Sequence, residues 1–308
     1  MNKKILVTGS AGFLGKCLLK ILLRKRFHVV GSNKRNFNLL SLRETIKLFE
    51  KEKPQVVFHC AGKTGGLKYN MDKPAEIYHH NLIMTSNIFE TCAKFNIKKL
   101  ILVGSSCMYP KTIIKNYREN DLFFGPLHES SEATGFWKLA MVIGMKVYKK
   151  EHKLNSICAA LPSIFGPSDD FSLENSHFIG ALVKKFVDAK QKNKKIINCW
   201  GSGKEIRDCI FVNDAAEGLI KVMQKNLKVN MLNICTGKGL TINKYAELIK
   251  KISGFRGNVK WDRSKPLGIK KKVLDNKNMK KYLKWSPPTN IVLGLTKTIN
   301  SYKKIKIS

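Results

Sequence analysis

The stretch T-G-S-A-G-F-L-G at residues 8–15 decides the fold of this chain. It follows an apolar run at residues 3–9 that is typical of a buried strand, and it opens an amphipathic pattern over residues 13–26 that predicts a helix. Glycines at positions 9, 12 and 15 permit a tight turn, a close approach of the backbone to a pyrophosphate and close packing of the helix on the strand. The free N–H groups at the start of a helix attract phosphate. A strand, a glycine loop and a helix in this order predict a dinucleotide-binding site.

Strand and helix patterns continue to alternate outward from this loop. Short β-rich runs separated by helices predict right-handed crossovers and a parallel sheet. We therefore predict an α/β fold: a doubly wound parallel sheet (Rossmann) over residues 1–164, rejoined by segments near 208–236, and a smaller substrate-binding domain mainly within 165–308. The predicted strands are 3–9, 27–31, 54–60, 99–104 and 155–161; the predicted helices are 13–26, 42–51, 81–95, 132–150, 214–225 and 242–253. The last thirty residues show no clear pattern.

Composition limits the kinds of protein that this chain can be. Its 308 residues are 43% hydrophobic, which is enough for a sizeable core. No run of eighteen apolar residues is present, and glycines interrupt the first apolar run too early for a signal peptide. The eight cysteines form no C-x-x-C pair and no histidine cluster has zinc-ligand spacing, so we predict neither a metal site nor a disulfide framework. A cytoplasmic protein is the expectation.

The formal net charge of +35 raises the question of a nucleic-acid partner. The excess consists of 49 lysines against only 8 arginines. Arginine is the residue that reads phosphates and base edges bidentately, and the lysines are spread over the whole chain. A solvated, lysine-rich surface is therefore favoured, and we predict no nucleic-acid or membrane partner.

The end of the second predicted strand bears on the type of dinucleotide. The sequence there is G-S-N-K-R at residues 31–35, which lacks the acidic residue that would bind an unmodified ribose 2′-hydroxyl. Lys34 and Arg35 suit a 2′-phosphate instead. This segment favours NADP(H) over NAD.

Five further motifs carry a family resemblance. They are C-A-G-K-T-G-G (60–66), G-S-S-C-M-Y-P (104–110), N-S-H-F-I-G-A-L-V-K-K-F (175–186), W-G-S-G-K-E-I-R-D (200–208) and S-K-P-L-G-I-K-K-K-V-L-D (264–275). Together with the glycine loop they resemble the extended short-chain dehydrogenase/reductase family, in its GDP-L-fucose synthase (GDP-4-keto-6-deoxymannose epimerase/reductase) branch, over almost the whole chain. The resemblance implies an NADP(H)-dependent enzyme that epimerises a GDP-4-keto-6-deoxy sugar and reduces its ketone. It also implies a homodimer built on the helices at 81–95 and 132–150.

The chemistry of that family explains two of these motifs. A 4-keto group acidifies the protons on the neighbouring carbons, and inverting such a centre requires an acid and a base on opposite faces of the sugar. The resemblance assigns these roles to Cys107 and His177. Reference pKa values of about 8.5 for cysteine and about 6.5 for histidine allow both groups to exchange protons near neutrality.

The reduction step departs from the family pattern. The family protonates the reduced oxygen from a tyrosine in a Tyr-x-x-x-Lys pair, with a serine nearby; Ser105 and Lys138 match, but Thr134 stands in the tyrosine position. A threonine hydroxyl is a much weaker acid, and losing a positioned general acid costs about 10²–10⁴-fold. The literal pair Tyr69–Lys73 is expected in a loop and is interpreted as coincidence. Three accounts stay open: Thr134 and Ser105 relay a proton from water, another residue enters the site, or reduction is slow or lost.

The resemblance also implies contacts to substrate and cofactor. Ser163 replaces the family's usual asparagine near the sugar, Lys185, Arg207 and Lys271 match nucleotide or phosphate contacts, and Trp200 lies either near the nucleotide–sugar junction or in the core. The implied cofactor contacts are Gly9, Ser10, Gly12, Phe13, Leu14, Gly15, Asn33, Lys34, Arg35, Ala61 and Lys138. Alternative functions are an epimerase without net reduction, an enzyme for a UDP- or dTDP-sugar, and a non-catalytic dinucleotide-binding protein.

Overall fold

A computed structural model describes residues 3–265 and 268–307, with no account of the Ile307 side chain. The elements below are numbered along the chain. The strands are β1 (Ile5–Thr8), β2 (Val29–Ser32), β3 (Val56–His59), β4 (Lys99–Ser105), β5 (Ser156–Leu161), β6 (Ser163–Phe165), β7 (Ile196–Trp200), β8 (Ile206–Phe211), β9 (Met231–Asn233), β10 (Gly239–Thr241), β11 (Asn258–Asp262) and β12 (Lys271–Lys272). The α-helices are α1 (Phe13–Arg24), α2 (Leu42–Glu52), α3 (Leu67–Asp72), α4 (Pro74–Lys94), α5 (Glu132–His152), α6 (Phe178–Gln191), α7 (Val212–Gln224), α8 (Ile242–Ser253), α9 (Lys277–Leu283) and α10 (Ile291–Ile307).

The main sheet has six parallel strands in the order β2-β1-β3-β4-β5-β9. Its central strands are buried because helices cover both faces, as expected for a parallel sheet. Leu18 and Leu22 of α1 pack with Leu219 of α7 on one face. Helices α2, α4 and α5 cover the other face, where Phe49 and Trp137 belong to a single apolar cluster. The predicted doubly wound α/β fold is confirmed.

A second group of elements lies beyond β5. Strand β8 pairs with β6 and β12 in parallel and with β10 in antiparallel orientation, while β7 pairs with β11. Helices α6, α8 and α10 share a separate core that includes Phe186, Ile249 and Leu295. Because β6 starts two residues after β5 ends, this group of elements continues from the carboxyl end of β5.

Two sequence expectations about local structure were wrong, and one segment without a prediction is helical. Helix α4 begins at Pro74, seven residues before the predicted start, because proline is well accommodated in a first helical turn. Tyr69 was expected in a loop but lies on the short helix α3. The last thirty residues, for which no element was predicted, contain most of α9 and all of α10.

The remaining structural findings concern what the described residues contain. All eight cysteines are free thiols. Within residues 3–265 and 268–307, no cluster of three or more histidine, cysteine or acidic side chains is arranged to hold a metal ion. No helix in the described part of the chain is both long enough and apolar enough to cross a membrane.

Candidate active site

The glycine loop forms a cradle at the carboxyl ends of β1 and β3. Gly9 has a φ of +67°, and a Cβ there would lie 2.6 Å from the backbone nitrogen of Ala61. A Cβ at Gly15 would lie 2.2 Å from the carbonyl oxygen of Gly9, so α1 packs directly on the loop. Gly12 precedes α1 at its N-cap position and has no side chain to cap it, which leaves the first N–H groups of the helix open. Between β1 and β3 the strand order changes direction, where dinucleotides bind in such sheets, and the cradle fits a pyrophosphate.

The end of β2 lies beside this cradle. The backbone nitrogen and hydroxyl of Ser10 both donate to the carbonyl oxygen of Ser32, at 3.0 and 3.1 Å. The exposed Lys34 and Arg35 follow directly, and the backbone nitrogen of Arg35 donates to the Asn33 side chain at 2.9 Å. Two cations free to meet a 2′-phosphate therefore stand at the rim of the cradle. Of the two other predicted contacts in the loop, Leu14 is buried and Phe13 is half-buried.

Lys138 lies beneath the same edge of the sheet. It is buried on α5 and its ammonium donates to the carbonyl oxygen of Val103 on β4. Burial lowers the pKa of Lys138 to about 8. The nearby His59 is neutral, because burial and the charge of Lys138 lower its pKa to about 3, and its Nδ1 lies 3.0 Å from the Thr8 hydroxyl. Lys138 is thus a cation held by a carbonyl group under the cofactor cradle.

Cys107 lies in a single turn of 3₁₀ helix directly after β4. Its backbone nitrogen donates to the Ser105 hydroxyl at 3.2 Å, and the Lys272 ammonium lies 3.3 Å from its Sγ. Burial alone would raise the pKa of the thiol, but the charge and hydrogen bond of Lys272, with hydrogen bonds from Ser105 and Ser131, lower the pKa overall. Compared with an ordinary cysteine, the site therefore stabilises the thiolate, which is the form that accepts a proton.

His177 stands at the N-terminus of α6 and is half-buried. Burial is the main cause that lowers its pKa; Lys272 lowers the pKa further and Asp170 opposes the shift. The charge of Lys272 therefore acts on both His177 and Cys107, although these residues come from different segments. A thiol and an imidazole whose pKa values are both lowered are two groups able to exchange protons near neutral pH.

Thr134 does not have a free hydroxyl. It is buried on the first turn of α5, and its Oγ1 donates to the Asn70 side chain at 2.5 Å. Tyr69, on the same short helix as Asn70, donates its hydroxyl to Glu76 at 3.3 Å. Neither hydroxyl therefore makes a contact that would let it replace the missing tyrosine as a proton donor.

The predicted nucleotide contacts lie on the elements beyond β5. Arg207 on β8 is buried; it donates to the carbonyl oxygens of Ile206 and Ile269 at 2.9 and 2.8 Å, and burial lowers its pKa. The Lys185 ammonium donates to the Asn198 carbonyl at 2.7 Å. Trp200 is 44% exposed at the end of β7, so it is not a core aromatic residue.

The two other predicted substrate contacts are Ser163 and Lys271. Ser163 begins β6 and is half-buried, and half-buried Lys271 accepts the Tyr117 hydroxyl at its backbone carbonyl, at 2.7 Å. Residues 266 and 267 of the 264–275 motif lie outside the described residues. Among the described residues, no contact of the Ser163 or Lys271 side chain assigns it a role.

Sequence reasoning missed two residues of this site. Lys272 contacts Cys107, and the β12–β8 register places it beside Arg207, yet in the run of three lysines at 270–272 only Lys271 was selected. Alternation along a strand sends neighbouring side chains to opposite faces, but the sequence does not indicate which of the two faces the site. Asn70 showed no signal in the sequence.

Comparisons with known proteins agree with this geometry. A profile of the NAD dependent epimerase/dehydratase family matches residues 5–235. The GDP-L-fucose synthase of Sinorhizobium fredii is 32% identical over 301 residues, covering 98% of this chain and 96% of the relative. Among solved structures, a GDP-6-OMe-4-keto-L-xylo-heptose reductase from C. jejuni has a TM-score of 0.90 at 26% identity, over 99% of this chain and 98% of that one. An NADP-bound GDP-L-fucose synthetase from Naegleria fowleri also has a TM-score of 0.90 at 26% identity, over 100% of this chain and 94% of that one. This chain belongs to the NAD dependent epimerase/dehydratase family, in the branch that includes the GDP-L-fucose synthases.

Proposed function

We propose that this protein is an NADP(H)-dependent epimerase/reductase that acts on a GDP-4-keto-6-deoxy sugar. The observation that carries the proposal is the Cys107 thiol held by Lys272 directly after β4, the strand whose Val103 carbonyl holds Lys138. An activated proton acceptor thereby shares one edge of the sheet with the cofactor cradle. The names of the relatives favour a GDP-sugar over a UDP- or dTDP-sugar and an enzyme over a purely binding protein.

The cofactor proposal rests on the cradle. Gly9, Gly12 and the start of α1 would hold the pyrophosphate, and Lys34 and Arg35 would meet the 2′-phosphate. When bound, NADPH supplies the hydride that reduces the ketone. Lys138 would hold the nicotinamide ribose, because its ammonium is already fixed against β4.

The epimerisation step is assigned to Cys107 and His177. We propose that the Cys107 thiolate removes a proton from the carbon next to the ketone while His177 returns one from the opposite face. Lys272 lowers the pKa of both groups, which stabilises the Cys107 thiolate and makes the His177 imidazolium, the form that returns the proton, a stronger acid. Arg207, Lys185 and the exposed Trp200 would bind the nucleotide diphosphate.

The reduction step needs a proton that Thr134 does not supply. Its single hydroxyl hydrogen is donated to Asn70, so a relay through Thr134 and Ser105 is disfavoured. A lysine ammonium has the acidity of the absent phenol, with reference pKa values of about 10.4 and about 10. We therefore assign the proton to the Lys272–Cys107 pair, in which the ammonium lies 3.3 Å from the sulfur that would take up the proton of the neighbouring carbon.

The homodimer proposal rests on the outer face of α4 and α5. Tyr78, Phe136, Ile143 and Val147 are each 46–49% exposed there, and the rings of Tyr78 and Phe136 stack at 5.6 Å. A contiguous apolar patch on two packed helices is typical of a protein interface. Sedimentation equilibrium at micromolar concentration should give twice the chain mass of 34.9 kDa, and a monomer would contradict the proposal. A cytoplasmic location stays a prediction.

One incubation tests the enzymatic proposal. The protein is mixed with GDP-4-keto-6-deoxymannose and NADPH in deuterated water, and the sugar is followed by NMR spectroscopy. We expect deuterium on a carbon next to the ketone together with oxidation of NADPH. Deuterium uptake alone would reduce the function to epimerisation, and the absence of both signals would contradict the substrate assignment.

A further inference from the structure

The first turn of α5 touches both the Cys107 segment and the short helix α3. Gly135 packs against the backbone of Cys107 so closely that a Cβ at this glycine would lie 2.5 Å from the Cys107 carbonyl oxygen. The preceding residue, Thr134, contacts Asn70 on α3. The turn of α5 that packs against Cys107 is therefore also the start of a series of contacts that leads through α3.

Asn70 fixes the direction of its bond with Thr134. Its side-chain nitrogen donates to the carbonyl oxygens of Gly65 and Gly66, at 2.8 and 2.9 Å. Because both donors of the amide are used, its oxygen faces Thr134 and the threonine is the donor. All of the hydrogen-bonding groups in this side chain are engaged in joining α5 to the glycine pair.

The glycine pair in turn holds the segment that carries His177. The backbone nitrogen of Gly66 donates to the Asn175 carbonyl at 2.8 Å. A Cβ at Gly66 would lie 2.1 Å from the Ser176 carbonyl oxygen, so the two backbones are in direct contact. His177 is the next residue and directly precedes α6 at its N-cap position. A continuous path of contacts runs from α5 through Asn70 to the His177 segment.

We propose that Thr134 and Asn70 are positioning residues that hold His177 at a fixed spacing from Cys107. The inference rests on the proposed function, because epimerisation requires an acid and a base on opposite faces of one sugar. A displacement of about 1 Å between reacting groups can lower the rate about 10²-fold. Contacts that fix the spacing between the two segments therefore have a large effect on the rate of epimerisation. The threonine that replaces the family's tyrosine thus serves geometry instead of proton transfer.

The test compares variants of Thr134 by chemical labelling and by catalysis. Thr134→Val keeps the shape but removes the hydroxyl. We expect its His177 to react at least threefold faster with diethyl pyrocarbonate, while alkylation of Cys107 stays within twofold of wild type. Deuterium exchange into the 4-keto sugar should fall about tenfold, as expected for a loosened reacting pair. Thr134→Ser, which retains the hydroxyl, should recover most of both properties.

A matched control separates positioning from a general loss of packing. Thr91 is buried on α4 and its hydroxyl has no hydrogen-bond partner among the described residues, so Thr91→Val should change neither readout. Wild-type labelling of His177 and wild-type exchange in both Thr134→Val and Asn70→Ala would overturn the inference. Equal changes in Thr91→Val and Thr134→Val would overturn it as well. If wild type itself catalyses no exchange, the proposed function fails, and the labelling of His177 still decides the positioning claim.

Discussion

The cofactor cradle and the reactive pair are built in opposite ways. The cradle consists of backbone within eight consecutive residues, closed against Ala61, and its shape depends on glycines that exclude any Cβ. The reactive pair consists of side chains from distant segments: Cys107 and its partner Lys272 are 165 positions apart. A backbone site is therefore local and sterically defined, whereas the chemical site depends on how the two halves of the chain meet.

The largest effect should come from removing the thiol, which tests whether the two sites are separable. Cys107→Ser replaces the proton acceptor with a hydroxyl, so deuterium exchange should fall about 10²–10⁴-fold. NADPH affinity, measured by fluorescence titration, should stay within twofold because the cradle does not contact this side chain. Cys17→Ser on α1 is the control. Exchange above a tenth of the wild-type rate would rule out Cys107 as the base.

Restoring a phenol tests how far the chemical site has been rebuilt. A tyrosine ring at position 134 meets Asn70, whose oxygen is 2.5 Å from the present hydroxyl. Asn70→Ala with Thr134→Tyr should therefore oxidise NADPH at least about tenfold faster than wild type, since a positioned acid contributes about 10²–10⁴-fold. Thr134→Tyr alone should gain less. The assay uses the epimerised 4-keto sugar as substrate. Its rate then reports reduction alone and does not depend on the positioning of His177, which serves epimerisation. A double variant no faster than wild type would show that the site no longer accepts a phenol.

A smaller effect is expected from neutralising Lys272. In Lys272→Met the burial of Cys107 is no longer offset by a cation, so the pKa of the thiol should rise and the thiolate fraction at pH 7 should fall. Each unit of pKa slows alkylation at pH 7 by about tenfold. Iodoacetamide labelling across pH, read by mass spectrometry, should show the curve for Cys107 displaced to higher pH in Lys272→Met but not in Lys272→Arg. Superimposed curves for all three proteins would contradict the role of Lys272.

The smallest effect concerns the rim of the cradle. Lys34 and Arg35 are exposed, and an exposed ionic contact contributes about 1 kcal/mol or less, which is roughly fivefold in affinity. Replacing both by alanine should lower the preference for NADPH over NADH by roughly fivefold without altering NADH binding. Lys20→Ala, an exposed change on α1, is the control. An unchanged preference would mean that other groups bind the 2′-phosphate.

The same contrast explains what could be predicted from the sequence. The doubly wound sheet was predicted correctly because the glycine loop and the alternation of strands and helices are local patterns. Helix α3 was missed because its six residues are too short to show a helical period. Thr134 was recognised as a departure from the family, but its partner Asn70 was not, since 64 positions separate them and the tertiary fold brings them together. Lys271 was selected instead of Lys272 for the same reason: strand register is a tertiary property.

The central claim is that the cradle and the reactive pair serve one reaction on a GDP-4-keto sugar. NADPH carrying deuterium at carbon 4 of the nicotinamide tests this claim most directly, with the sugar product analysed by NMR spectroscopy. The account predicts deuterium at carbon 4 of a reduced GDP-sugar whose neighbouring centre is inverted, and loss of both changes in Cys107→Ser. A cofactor that keeps its label while wild-type protein exchanges solvent deuterium into the sugar would contradict it.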